Sequence, residues 1–132
     1  MRHKRILVWD AVVPDTTPVF SSMELHDLLG LYDQLTFHAV CDGASVSNTL
    51  TCDLMHSGDG IWWVTETAAV LSGSIATNTT NHIQGASSDN VTQQGLAFRR
   101  VKITLSVASP VHVKIWALAH DQSLRAPGGS AP

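Results

Sequence analysis

The sequence predicts an all-β chain, an antiparallel β-sandwich of jelly-roll type with about eight strands, and three observations carry that prediction. Apolar and polar residues alternate with a period of two over several separate stretches, most plainly residues 99–107 and 111–119. Turn formers such as Pro14-Asp15, Asp42-Gly43, Asp59-Gly60 and Ser109-Pro110 separate those stretches at the rhythm of a two-sheet protein. Only 14% of the 132 residues are charged and 44% are hydrophobic, which suits one β-rich core under a neutral polar surface.

Residues 6–13 read as the first strand, closed by Pro14-Asp15. Residues 1–18 form an N-terminal arm or first strand, 19–121 the sandwich, and 122–132, which include Gly128-Gly129-Ser130, a flexible tail. A second strand is expected at 19–23, and the leucines of 25–32 fit either a helical turn or a short irregular strand. Residues 35–41 and 49–56 alternate and are read as a hairpin, with Leu35, Phe37, Ala39, Cys41, Leu50, Cys52 and Leu54 inward. The turn at Asp59-Gly60 supplies the positive backbone angles of a second hairpin, leading into a strand at 61–65. Another strand is expected at 69–75, weakened by Gly73. Residues 76–94 are a polar, loop-like stretch holding one short strand at 82–84. In the last two strands Val101, Ile103, Leu105 and Val107, then Val111, Val113, Ile115, Ala117 and Ala119, face inward. Arg100, Lys102, Thr104 and Ser106, then His112, Lys114, Trp116, Leu118 and His120, take the opposite face.

A net charge of −3 gives no electrostatic basis for binding nucleic acid, and the cluster Arg2-His3-Lys4-Arg5 is too short to change that. No apolar run approaches the ~18 residues that span a bilayer, so no membrane partner is expected. Asp10 interrupts the apolar run at 6–13 and no small-residue cleavage pattern follows, so a signal peptide is not expected.

Catalytic chemistry finds no constellation. His3, His26, His38, His56, His82, His112 and His120 have none of the spacings of a metal site, Ser57 lacks the G-x-S-x-G elbow, and Asp53, Asp59 and Glu66 belong to no calcium loop. The glycines punctuate strands and open no phosphate-binding helix. Cys41 and Cys52 are expected as buried thiols, with a cross-strand disulfide as the alternative. The reading is therefore of a protein that is not an enzyme and carries no metal or cofactor.

Binding surfaces are better represented. Trp62 and Trp63 are neighbours on the strand expected at 61–65, so their side chains leave opposite faces and one must be presented or covered. Trp116 and Leu118 together on an outer face make an apolar patch of the kind that marks an interface. With Ile6, Val8 and Trp9 of the first strand, which can pair with a neighbouring sheet edge, these residues are the expected contact set.

Tyr32-Asp33-Gln34-Leu35-Thr36-Phe37, then Ser57-Gly58-Asp59-Gly60-Ile61-Trp62-Trp63, then Arg100-Val101-Lys102-Ile103, and finally Val111-His112-Val113-Lys114-Ile115-Trp116 follow one another along the chain. Over about residues 19–121 this order resembles small tailed-phage and prophage virion proteins, in which a strand, a Ser-x-Asp-Gly-x-x-Trp hairpin and an Arg-Val/Leu-x-Ile/Leu strand recur in one β-sandwich. Discoidin-like sugar-binding domains share the hairpin motif. The first resemblance implies a bacteriophage structural protein, a capsid decoration or cement protein without catalytic residues. It would be assembled in the host cytoplasm, be found on the virion, and bind the major capsid protein or other virion proteins as an oligomer, with a trimer favoured. The competing expectation is a carbohydrate-binding module of a tail or adhesin, with a glycan as partner and Trp62 or Trp63 as its stacking platform.

Overall fold

Strands with one apolar face need a second layer to cover it, and this chain supplies that layer by folding into two four-stranded antiparallel sheets. The computed structural model describes residues 3–30, 32, 34–85 and 98–120. The elements in chain order are β1 (His3–Val13), β2 (Val19–Phe20), a 3-10 turn (Met23–Leu25), α1 (His26–Gly30), β3 (Gln34–Asp42), β4 (Asn48–Ser57), β5 (Val64–Ile75), β6 (Asn81–Gln84), β7 (Phe98–Leu105) and β8 (Val111–His120). One sheet has the order β1-β8-β3-β6 and the other β2-β7-β4-β5. Late strands are thus interleaved between early ones in both sheets, which is the jelly-roll arrangement.

Several local expectations change in the assembled sandwich. The stretches read as one hairpin, β3 and β4, lie in different sheets, β3 between β8 and β6 and β4 between β7 and β5. The second strand is only two residues long, and the open stretch after it is the 3-10 turn followed by α1. Of the strand expected at 61–65 only Val64 and Thr65 are strand, residues 61–63 with both tryptophans being loop. Those two continue into the strand expected at 69–75 as one strand, β5, bent at Ala69, whose φ of 52° marks a bulge. The Asp53 carboxylate accepts the Ala69 N–H there at 2.8 Å. Val107 is exposed instead of inward, because Asn48 Oδ1 accepts the N–H groups of Ser106 and Val107 and turns the chain out of β7. Of the arm or first strand expected over 1–18, residues 3–13 are strand, β1, which pairs with β8 from His3↔His120 to Val13↔Val111. The tail at 122–132 and the part of the polar stretch from 86 to 94 lie outside the described residues.

The inward alternation is otherwise as expected. Phe37, Leu50, Leu54, Ile103 and Ile115 are fully buried between the sheets. Cys41 and Cys52 are both buried and free. Burial pushes the Cys41 thiol up to about 11, and burial, then Cys41 and Asp53, push the Cys52 thiol up as well. Where β5 of one sheet meets β6 of the other, Gly73 has no room for a side chain, because a Cβ would stand 2.8 Å from Ile83 Cγ2.

Candidate functional site

The loop between β4 and β5 is held by its own polar side chains. Ser57, buried at the end of β4, accepts the Gly60 N–H at 2.8 Å and donates its hydroxyl to Asp59 Oδ1 at 3.0 Å. The same Asp59 oxygen accepts the N–H groups of Ile61 and Trp62 at 2.9 and 3.0 Å. These donors, the Trp62 and Ile61 amides first and then the Ser57 hydroxyl, hold the Asp59 carboxyl below its usual range. Gly60 has φ of +78°, a left-handed conformation that favours glycine. The consequence is a tip of fixed shape that presents Ile61 and Trp62 at 74% and 80% exposure, with Val64 exposed beside them.

Trp63 goes the other way. Its indole N–H donates to the Gly60 carbonyl at 3.3 Å and its ring lies over the Arg100 guanidinium, 4.5 Å from Cζ to centroid. Arg100 is also 4.0 Å from the Phe20 ring, and His26 of α1 meets Trp63 edge-on at 4.7 Å. Burial, then the Arg100 charge, push the His26 imidazole below its ordinary value. This stack on the outer face of the second sheet fastens the loop to β2, β7 and α1.

A buried charge cluster lies beneath the same loop. Arg99 at the start of β7 donates from Nε to Glu66 Oε1 at 2.9 Å and from Nη2 to Oε2 at 3.4 Å. The Glu66 side chain has no exposed surface. Arg99 Nη1 also donates to the Tyr32 carbonyl at 2.7 Å. His56 Nδ1 stands 3.2 Å from Glu66 Oε1, close enough for an ion pair when protonated but off the direction of a hydrogen bond. Strand parity carried a signal for this cluster that the sequence reading did not use. Arg99 is in phase with Val101, Ile103 and Leu105, and an inward arginine requires a buried acceptor.

The outer face of the first sheet carries a groove of about 430 Å³ lined by Arg5, Thr36, His38, Gln84, Trp116 and Leu118. Arg5 Cζ stands 4.6 Å from the centre of the Trp116 ring and Lys114 Nζ 5.3 Å from it. Of the expected contact set, Trp62 is exposed, Leu118 and Trp116 border this groove, and Trp63 is folded into the Arg100 stack. Ile6 and Val8 are core residues at 4% and 3% exposure, so they are not available to a partner. Alternation with a period of two puts both on the inner face, and the register shift between Leu7 and Trp9 then changes the phase, so that Trp9 and Val13 turn toward the core and Val12 faces out. Trp9 is half-buried against the core and donates its indole N–H to the Ala11 carbonyl at 3.1 Å. Among the described residues no three His, Cys, Asp or Glu side chains gather as a metal site.

This fold and these surfaces define a β-sandwich with presented apolar groups. No family model matches the chain, and no curated protein matches it. Among solved structures it is similar to the CBM22-1–GH10 modules of Clostridium thermocellum xylanase 10B complexed with xylohexaose, with TM-score 0.57 and 9% identity over 90% of this chain and 25% of that one. It is similar to the CBM22-2 xylan-binding domain of Paenibacillus barcinonensis Xyn10C, with TM-score 0.55 and 12% identity over 89% of this chain and 88% of that one. It is also similar to the VP2 subviral particle of infectious bursal disease virus, with TM-score 0.52 and 10% identity over 92% of this chain and 33% of that one. The chain therefore spans a quarter of the xylanase chain and a third of the VP2 chain. At these identities the likeness is one of fold, a sandwich used both in a viral particle and in carbohydrate-binding modules.

Proposed function

We propose that this chain is a structural protein of a virus particle, a phage capsid decoration or cement protein that acts by binding and not by catalysis. The observation that carries the reading is the Ile61-Trp62 tip, two large apolar side chains held out on a loop already ordered by Ser57 and Asp59. Ordering the loop in advance lowers the entropy lost on docking, and a rigid Trp beside an aliphatic side chain is the composition of an interface hot spot. Full burial of each such side chain contributes about 1.5–3 kcal/mol. Binding only the assembled shell shifts assembly forward, and repetition over a lattice multiplies modest contacts. The major capsid protein is the partner of the tip. The β1–β8 side of the outer face of the first sheet, where Leu7, Val12 and Leu118 are exposed, is the surface for self-association into a trimer, which leaves the β3–β6 side open. The protein would assemble in the host cytoplasm and reside on the virion.

The test is co-sedimentation of the purified protein with shells of the capsid it decorates, with wild type and Trp62→Ala side by side. Saturable binding that raises the thermal release temperature of the shell and is lost in the variant is the expected result. Binding that ignores Trp62, or no binding to shells, would overturn the reading.

A second reading, a carbohydrate-binding module, is favoured by the groove at Trp116, where Thr36, His38 and Gln84 offer polar groups beside an aromatic ring. It is the weaker reading because the Arg5 guanidinium already lies over that ring, and because Trp62 has the apolar Ile61 and Val64 beside it, also exposed. Tryptophan fluorescence that responds to xylo-oligosaccharides in wild type and not in Trp116→Ala would favour it.

A further inference from the structure

Two histidines that lie far apart in sequence meet on the open face of the first sheet. In the β3–β6 ladder His38 is opposite Gln84 and Val40 is opposite His82, so the two histidines occupy diagonal positions. Ala39 and Ile83, their neighbours in sequence, are buried, which puts both imidazoles on the outer face. His38 Nε2 and His82 Nδ1 are 3.5 Å apart, with ring centroids separated by 5.7 Å and planes inclined by 51°.

We infer that His38 and His82 form a two-imidazole chelate for one borderline divalent transition ion, Zn²⁺, Ni²⁺ or Cu²⁺. A separation of 3.5 Å is longer than a good hydrogen bond between ring nitrogens. It is close to what one ion imposes, since two nitrogens bound at about 2.0–2.1 Å in tetrahedral geometry stand about 3.3 Å apart. The remaining difference is a small rotation about χ2, a soft torsion in histidine. Imidazole is the ligand these ions prefer, and both strands are fixed by ladder hydrogen bonds, so the second nitrogen is already placed when the first one binds. With no third His, Cys, Asp or Glu grouped there among the described residues, the open coordination positions are filled by water. Lys114, opposite Val40 on the same face, adds a positive charge nearby. Both features set the affinity in the micromolar range, below that of a closed structural zinc site.

The experiment is calorimetric titration of the protein with Zn²⁺ and with Ni²⁺, together with electron paramagnetic resonance of the Cu²⁺ form. His38→Gln, His82→Gln and, as a control on the same sheet face, His112→Gln are compared with wild type. The expected result is one ion per chain and a Cu²⁺ spectrum with two imidazole nitrogens. Either His38→Gln or His82→Gln should weaken binding by about tenfold or more and remove one nitrogen, while His112→Gln leaves both readings unchanged. Affinity untouched by either substitution, or lost equally in His112→Gln, would overturn the inference. Both rings are on the surface, so the apo variants should melt with wild type, which separates loss of the site from loss of the fold.

Discussion

Arg99 and Glu66 form a two-bonded ion pair inside the sandwich, with Nε–Oε1 at 2.9 Å and the carboxylate withdrawn from solvent. The pair joins the starts of β5 and β7 directly beneath the loop that carries Trp62, and the Arg99 bond to the Tyr32 carbonyl extends it to the segment after α1. Removing one partner strands the other charge in the interior. Glu66→Ala and Arg99→Met should each cost about 3–5 kcal/mol, because an uncompensated buried charge is left behind. Urea unfolding would show this as a lowered midpoint with little change in slope. The double variant Glu66→Leu/Arg99→Met should be more stable than the sum of the two losses. Simple additivity would mean that the two groups are not coupled.

The two adjacent tryptophans should separate binding from stability. Trp62 is 80% exposed, so Trp62→Ala should change stability by less than about 0.5 kcal/mol. The same substitution should abolish shell binding. Trp63→Ala dismantles the stack with Arg100 and His26 and should cost about 1–3 kcal/mol. Thermal melts and shell co-sedimentation of both variants check this, and the reverse pattern would exchange the roles assigned to the two rings.

Asp59 and His26 place acid sensitivity in two different windows. The Asp59 carboxyl is held below its ordinary value by the Trp62 and Ile61 amides and then the Ser57 hydroxyl, so it supports the loop only while ionised. That support is complete above about pH 3.9, the value in the unfolded chain, and is lost as pH falls through the lower folded value. Acrylamide quenching of Trp62 should therefore stay constant through mild acid and change only below that point, and Asp59→Asn should lack this transition. His26 is held neutral, first by burial and then by Arg100. As pH falls through about 6.5 the unfolded chain takes up a proton before the folded one, so stability declines from there until the lowered folded value is passed. His26→Gln should flatten that part of the stability profile.

Gly73→Ala should destabilise by about 1–3 kcal/mol through overpacking, since its Cβ would sit 2.8 Å from Ile83 Cγ2. Combining it with Ile83→Ala should cost less than the two losses added, because the second change removes the atoms that the first one strikes. Equal, additive losses by thermal melting would show that Gly73 is needed for another reason.

Alternation with a period of two was enough to read the all-β class, the core positions of β3, β4, β7 and β8 and the inward cysteines. The Asp59-Gly60 pair marked the connection of β4 to β5, which is a loop over 58–63 with positive φ at Gly60 and not at Asp59. Each of these depends on neighbours within one strand or one turn. The same alternation misled where partners are distant. Leu35–Cys41 and Leu50–Leu54 have the inward pattern of a hairpin, yet an inward face is satisfied equally by a strand beside it or by a sheet across the core. Only the ladders of β3 with β8 and of β4 with β7 put them in opposite sheets. The Arg99–Glu66 pair, the change of phase at the bulge in β1 that turns Trp9 and Val13 toward the core, and the meeting of His38 with His82 were decided in the same way. A strand's own sequence sets which side faces in, whereas the contacts made across the sandwich and between sequence-distant strands set what that side meets.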